Sequence, residues 1–206
     1  MAGSVADMTA PVLYFLRHGE TDWNAEGRLQ GDQDIPLNAL GRRQATACGE
    51  ILRDLLARDG RAPATLPYVA SPLIRASETM ELMRAALGLP AAGYRTDPRL
   101  REVAFGQWEG VTMRELRRTV PAAVAARERD KWNFIPPEGE SYAQMALRMA
   151  EWRASLQGDT VAVAHGGTAR ALLVLFGAST PAEAPQVDIG QGVVYRFTTS
   201  GVSRHG

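Results

Sequence analysis

The sequence predicts an α/β protein with a mostly parallel central sheet, and three observations carry that expectation. Two apolar runs, Val12 to Leu16 and Val161 to Ala164, show no polar alternation, as strands do when both faces of a sheet are covered. Between them lie apolar stripes at helical spacing. Strands that alternate with helices fold as layers, with the helices packed on the sheet.

In chain order, residues 1–10 are small and polar and are expected to form a flexible tail, with Met8 a candidate alternative start. Residues 11–206 are read as one domain, because a chain of 206 residues that is 45% hydrophobic can bury a sizeable core. Val12 to Leu16 supplies the first strand. Leu40, Cys48, Ile51, Leu52 and Leu55 mark a helical stripe, which makes Cys48 a small core residue rather than a reactive thiol. Tyr68 to Ser71 is a weaker strand candidate. Ser71-Pro72 then opens a helix with the stripe Leu73, Ala76, Met80, Met83 and Leu87, so Arg75 falls in its first turn, just beyond a strand end.

The segment at about 105–142 breaks this rhythm. It holds short helical patterns, Trp108, Trp132 and Phe134, and stops at Pro136-Pro137, so it is expected to be a small helical lid. Trp108, Trp132 and Glu109 are read as lid packing, with the aromatics as alternative candidates for the mouth of a site. Capping-box spacings at Thr112/Glu115, Ser141/Gln144 and Thr180/Glu183 predict helix starts, the last with Pro181 in the first helical position. Gly192 to Thr198 alternates in part and predicts an edge strand, and Arg204-His205-Gly206 is expected to be a disordered end.

Composition excludes several functions. The 23 basic and 23 acidic residues cancel, with no basic stripe suited to a nucleic acid. Every basic residue but Lys131 is arginine. With Cys48 the single cysteine, neither a disulfide framework nor a thiolate metal site can form. No signal-peptide pattern and no membrane-spanning run is visible, and a cytoplasmic location is expected.

Chemistry concentrates where the two buried runs end. Arg17-His18-Gly19-Glu20-Thr21 follows the first, and His165-Gly166-Gly167-Thr168 follows the second, which places two imidazoles at one edge of a sheet. Phosphoryl transfer is catalysed mainly by positioning and fixed positive charge. Arg17 and Arg75 supply guanidiniums able to donate paired hydrogen bonds to phosphate oxygens. Nearby arginines also favour a neutral, nucleophilic imidazole. Gly19 and Gly166 let the backbone approach an anion closely. Release of a leaving oxygen requires a proton donor, and spacing alone leaves Glu20, Glu102 and Glu109 as candidates.

Five blocks, in order, closely resemble the histidine phosphatase superfamily, the phosphoglycerate mutase-like proteins. They are Arg17-His18-Gly19-Glu20-Thr21 with Trp23-Asn24; Gln30-Gly31 with Asp34-Ile35-Pro36-Leu37; Ser71-Pro72-Leu73-Ile74-Arg75-Ala76; Leu100-Arg101-Glu102 with Phe105-Gly106; and His165-Gly166-Gly167. The resemblance implies a three-layer α/β/α sandwich and no metal or other cofactor. It implies that His18 is the nucleophile that becomes a phosphohistidine and Glu102 the proton donor. Arg17, Arg75 and His165 would hold the phosphoryl group, Asn24 would add a phosphate contact, and Gln30, Gly31 and the backbone at Gly166 would line the pocket.

Mutases of this family carry a longer insertion after the acid, with a His-Tyr-Gly element. Here Glu102-Val103-Ala104-Phe105-Gly106-Gln107-Trp108-Glu109-Gly110 leads into a compact lid, which resembles the phosphatase branch. The expected activity is metal-independent hydrolysis of a small phosphorylated metabolite. A cofactor-dependent phosphoglycerate mutase and a non-catalytic phospho-ligand-binding protein are the alternatives. Arg114, Arg117 and Arg118, at helical spacing beside Glu115, are read as a solvated face rather than a substrate grip.

Overall fold

The computed structural model describes residues 11–206, so the expected N-terminal tail lies outside the described residues. Six strands form one sheet: β1 (Leu13–Arg17), β2 (Tyr68–Ala70), β3 (Arg95–Thr96), β4 (Thr160–Ala164), β5 (Val194–Thr198) and β6 (Gly201–His205), in the order β3-β2-β4-β1-β5-β6. The β3-β2, β2-β4 and β4-β1 pairings are parallel, whereas β5 runs antiparallel to both its neighbours.

The unalternated runs have the predicted cause. Along β1, Leu13 and Phe15 join one core cluster while Tyr14 and Leu16 join another. The first cluster includes Met145, Met149 and Trp152 of helix α6 (Tyr142–Ala154) and Ala171 and Leu172 of α7 (Gly166–Leu175). The second includes Cys48, Leu52 and Leu55 of α2 (Ala39–Arg58) and Ala76, Met80 and Met83 of α3 (Ile74–Ala86). Helices therefore cover both faces, giving the three-layer sandwich. Each large side chain fully buried here stabilises the fold by about 1.5–3 kcal/mol relative to exposure. No helix among the described residues is long and apolar enough to cross a membrane.

Register aligns the strand ends that matter. Arg17 pairs with Ala164 and Ala70 with Val163, so β1, β4 and β2 finish side by side. The residues that follow stay locked to the sheet: the His18 N–H donates to Ala164 O and the Ser71 N–H to Val163 O, both at 2.9 Å. Crevices at the carboxyl ends of parallel strands are where α/β folds place ligands. The short helix α1 (Asp22–Ala25) follows β1 and is capped by Thr21.

Between β3 and α6 the chain forms short helices, α4 (Met113–Thr119) and α5 (Pro121–Arg129), around a small core of Trp108, Leu116 and Val124. Hydrogen bonds from Leu29 N–H to Val111 O and from Gly110 N–H to Leu29 O tie this segment to the loop after α1. The capping boxes at Thr112/Glu115 and Ser141/Gln144 open α4 and α6 as predicted. Trp108 stacks on Phe134 and Trp132 on Tyr142, so the packing reading of both tryptophans holds. Arg114, Arg117 and Arg118 are exposed, as expected for a solvated face.

Four expectations need correction. The strand at Val194–Thr198 is interior, because the last residues form β6 and take the sheet edge, with Val194 opposite His205 and Thr198 opposite Gly201. The chain end expected to be disordered is thus paired through His205. Thr180 and Glu183 do make capping-box hydrogen bonds, but only a 3-10 turn at Ala184–Gln186 follows. Pro185 explains this, since it lacks the N–H an α-helix started at Pro181 would need there. Leu40, assigned to the apolar stripe of α2, is exposed, because the first turn of that helix buries Gly41 instead, packed on the backbone of Gly19 and Glu20.

Candidate active site

The loops after β1, β2 and β4 converge on a cavity of about 230 Å³. Arg17, His18, Asn24, Gln30, Gly31, Arg75, Glu102 and Gly166 all line it, so residues spread over most of the sequence meet in one place. His165 stands beside the pocket, fully buried, with its ring centroid 5.2 Å from that of His18.

The environment of His18 fixes which nitrogen can react. Its Nδ1 lies 2.7 Å from the Gly19 carbonyl oxygen. A carbonyl only accepts, so Nδ1 carries the proton and Nε2 keeps its lone pair as the remaining ring nitrogen. Burial pushes the His18 pKa well below the ordinary histidine value, and Arg75 and then Arg17 push it further. The imidazole is therefore neutral at physiological pH. His165 is held neutral in the same way, by burial first and then by Arg75. Its Nε2 lies 2.7 Å from Ser71 Oγ, a short contact made possible because β2 and β4 are adjacent.

The two arginines are anchored by carbonyls and by no carboxylate. Arg17 Nη1 donates to Ile189 O at 2.7 Å, and Arg75 donates through Nη1 and Nη2 to Gln33 O and Gly31 O at 2.6 and 2.8 Å. The Nε of each is buried without a protein partner. Carbonyl hydrogen bonds orient a guanidinium without forming an ion pair; Glu102 acts on both charges from beyond contact, and an anion brought into direct contact would offset more of the cost of burying them. An oxyanion in this cavity would meet both cations. Asn24 adds a polar group whose Oδ1 accepts from Thr21 N–H and Gln191 Nε2, which fixes the amide in place.

Among the three candidate acids the geometry separates one. Glu102 lines the cavity, held by N–H donation from Val103 at 2.9 Å and from Gly167 at 3.0 Å. Glu109 is occupied elsewhere, accepting from Asp32 N–H, Phe105 N–H and Gln33 Nε2, which pins the 30–33 loop to the segment above it. Glu20 accepts from Asn38 Nδ2 at the head of α2. Neither lines the cavity.

Sequence reasoning missed Arg28, Phe105, Tyr142 and Arg170, which also line the pocket. Arg170 had a legible signal. It lies four residues after Gly166 on α7, so both share the helix face that meets the site. Tyr142 had none, because only the packing of α6 onto α7 brings it there. Among the described residues no cluster of three or more His, Cys, Asp or Glu side chains is placed to hold a metal ion.

A neutral imidazole and a glutamate beside two largely buried guanidiniums that form no ion pair, at the carboxyl end of a parallel sheet, make a site suited to an oxyanion that undergoes group transfer. A model of the histidine phosphatase superfamily (branch 1) matches residues 13–204, and the chain belongs to that family. It is 37% identical over 179 residues to glucosyl-3-phosphoglycerate phosphatase of Mycobacterium tuberculosis, covering 80% of this chain and 74% of that protein. Its fold matches Bacillus stearothermophilus YhfR with a TM-score of 0.74 at 29% identity, covering 90% and 89% of the two chains. A mycobacterial glucosyl-3-phosphoglycerate phosphatase in complex with VO3 matches with a TM-score of 0.74 at 33% identity, covering 91% and 90%. The phosphatase branch expected from the sequence agrees with the two relatives named as phosphatases.

Proposed function

We propose that this protein hydrolyses a small phosphomonoester in two steps through a phosphohistidine. The observation that carries the reading is the His18 ring: Nδ1 is committed to Gly19 O, and the neutral ring borders a cavity whose other walls supply Arg17, Arg75 and Glu102. In the first step His18 Nε2 attacks phosphorus in line with the departing ester oxygen, and Glu102 protonates that oxygen as the P–O bond breaks. In the second, Glu102 as carboxylate takes a proton from water as the water oxygen attacks the phosphohistidine, releasing inorganic phosphate and restoring the neutral imidazole. Arg17, Arg75 and His165 hold the equatorial oxygens throughout, with Asn24 and the Gly166 backbone completing the cradle. The segment at 105–142 covers the pocket through Phe105 and helps select the organic part of the substrate.

The intermediate is the direct test. Incubating the Glu102→Gln variant with a phosphomonoester and analysing it by mass spectrometry without acid exposure should show a phosphate added to His18. A variant that consumes substrate with no such adduct, or with the adduct on another residue, would contradict the reading.

A further inference from the structure

Two peptide groups follow His18, and side chains from distant parts of the chain hold both. In the first, the His18 carbonyl accepts from Gln191 Nε2 at 3.1 Å and the Gly19 N–H donates to Thr79 Oγ1 at 3.0 Å. Thr79, buried on α3, passes the contact on by donating to Arg75 O at 2.6 Å. In the second, the Gly19 carbonyl oxygen lies 2.7 Å from His18 Nδ1, and the Glu20 N–H donates to Gln44 Oε1 at 2.8 Å. One amide therefore touches the nucleophile at its oxygen and Gln44 at its nitrogen.

That amide can transmit what Gln44 does. The C=O and N–H of one peptide share a delocalised electron system, so an acceptor on the N–H draws negative charge onto the oxygen. A more negative Gly19 oxygen strengthens the bond from the Nδ1 proton and keeps the bare nitrogen at Nε2. The Gln44 amide has one orientation here, because a backbone N–H can be met only by its oxygen. Its place is set by α2. A Cβ on Gly19 would collide with Gly41 O and one on Gly41 with Glu20 O, so the first turn of the helix lies directly on this loop. The Asn38 N–H, just ahead of α2, donates to Glu20 O at 2.9 Å. Gln44 follows Gly41 by three residues, on the same helix face. Its stem packs against Gly192, where an added Cβ would lie 3.3 Å from Gln44 Cγ.

We propose that Gln44 is a positioning residue of the nucleophile: through the peptide between Gly19 and Glu20, its Oε1 holds His18 in the tautomer protonated on Nδ1, which leaves Nε2 free to attack phosphorus. This rests on the reading of His18 as the nucleophile. Without an acceptor at position 44, the Glu20 N–H is unpaired in a half-buried loop, and its peptide gains by turning toward another partner. The Gly19 carbonyl then leaves Nδ1, and the neutral ring can carry its proton on Nε2 instead. In that tautomer the lone pair sits on Nδ1, turned toward Gly19.

The tautomer is readable without turnover. Long-range proton–nitrogen correlation spectra of the nitrogen-15-labelled protein, in phosphate-free buffer near neutral pH, identify His18 by the signals that His18→Gln lacks. Wild type should show a protonated Nδ1 and a bare Nε2. Gln44→Met keeps the side-chain length and removes the oxygen, so its His18 should populate the form protonated on Nε2. Gln44→Glu keeps an oxygen in place and should restore the wild-type pattern. In Gln44→Met, kcat/KM should fall about tenfold to a hundredfold, as when the group orienting a reactive histidine is lost. The factor should be the same on para-nitrophenyl phosphate and on an alkyl phosphate, and Gln44→Glu should recover most of the loss. Where Gln44→Met does not fold, Gln44→Ala enters the same comparison. A wild-type His18 protonated on Nε2, wild-type His18 signals in Gln44→Met, or equal losses in Gln44→Met and Gln44→Glu would overturn the proposal. A wild-type protein unable to hydrolyse para-nitrophenyl phosphate would instead overturn the hydrolase reading, with the spectra still deciding the role of Gln44.

Discussion

The Gly167 N–H donates to both carboxylate oxygens of Glu102, at 3.0 and 3.2 Å, and a Cβ on Gly167 would collide with Glu102 Oε1. Gly167, in the first turn of α7, thus holds the Glu102 carboxyl, the proton donor of the proposed mechanism. Gly167→Ala should swing the carboxyl away while leaving His18, Arg17 and Arg75 in place. Loss of a general acid costs about a hundredfold or more when the leaving oxygen is a poor one. The variant should therefore lose about that much kcat on an alkyl phosphate and little on para-nitrophenyl phosphate, the pattern expected of Glu102→Gln. Equal losses on both substrates would mean that Gly167 serves something other than the proton donor.

Two buried histidines make stability depend on acid. Both His18 and His165 have pKa values pushed well below 6.5, mainly by burial. Below pH 6.5 the unfolded chain takes up protons at these positions while the folded protein does not, so folding loses about 1.4 kcal/mol per pH unit for each. Their contribution is fully present above about pH 7 and falls as pH drops through 6.5 toward the folded-state values. Melting temperatures measured from pH 7.5 to 5 should decline, and less steeply in His18→Gln. An identical slope in the variant would show that His18 is protonated at the same pH folded and unfolded.

Cys48 sits in the α2 stripe against the sheet, and burial raises its thiol to about 12. With almost no thiolate and no access, it should react with iodoacetamide at pH 8 at least about a hundredfold more slowly in the folded protein than in urea. Rapid labelling without unfolding would contradict the packing of α2.

Much of this was legible in the sequence where local pattern and burial coincide. Val12 to Leu16 and Val161 to Ala164 read as two-sided strands because residues on both faces meet helices, and those runs deliver His18 and His165 side by side. The capping boxes at Thr112 and Ser141 worked because good helix formers follow them. The same box at Thr180 did not, because Pro185 interrupts the turn. Strand β6 was hidden because its polar, exposed residues gain their order only from pairing with β5. A site residue contributed by long-range packing was equally hidden: Tyr142 reaches the pocket through α6. Glu102 was separable from Glu20 and Glu109 by resemblance, and its exposure to the cavity gives the choice a geometric basis.

The central claim is a nucleophilic His18, and the most direct measurement is hydrolysis of para-nitrophenyl phosphate in the presence of a metal chelator, wild type beside His18→Ala. The account predicts wild-type activity that survives chelation and a loss of about a thousandfold or more in the variant. A folded wild-type protein without activity, or a His18→Ala variant that retains it, would contradict the account.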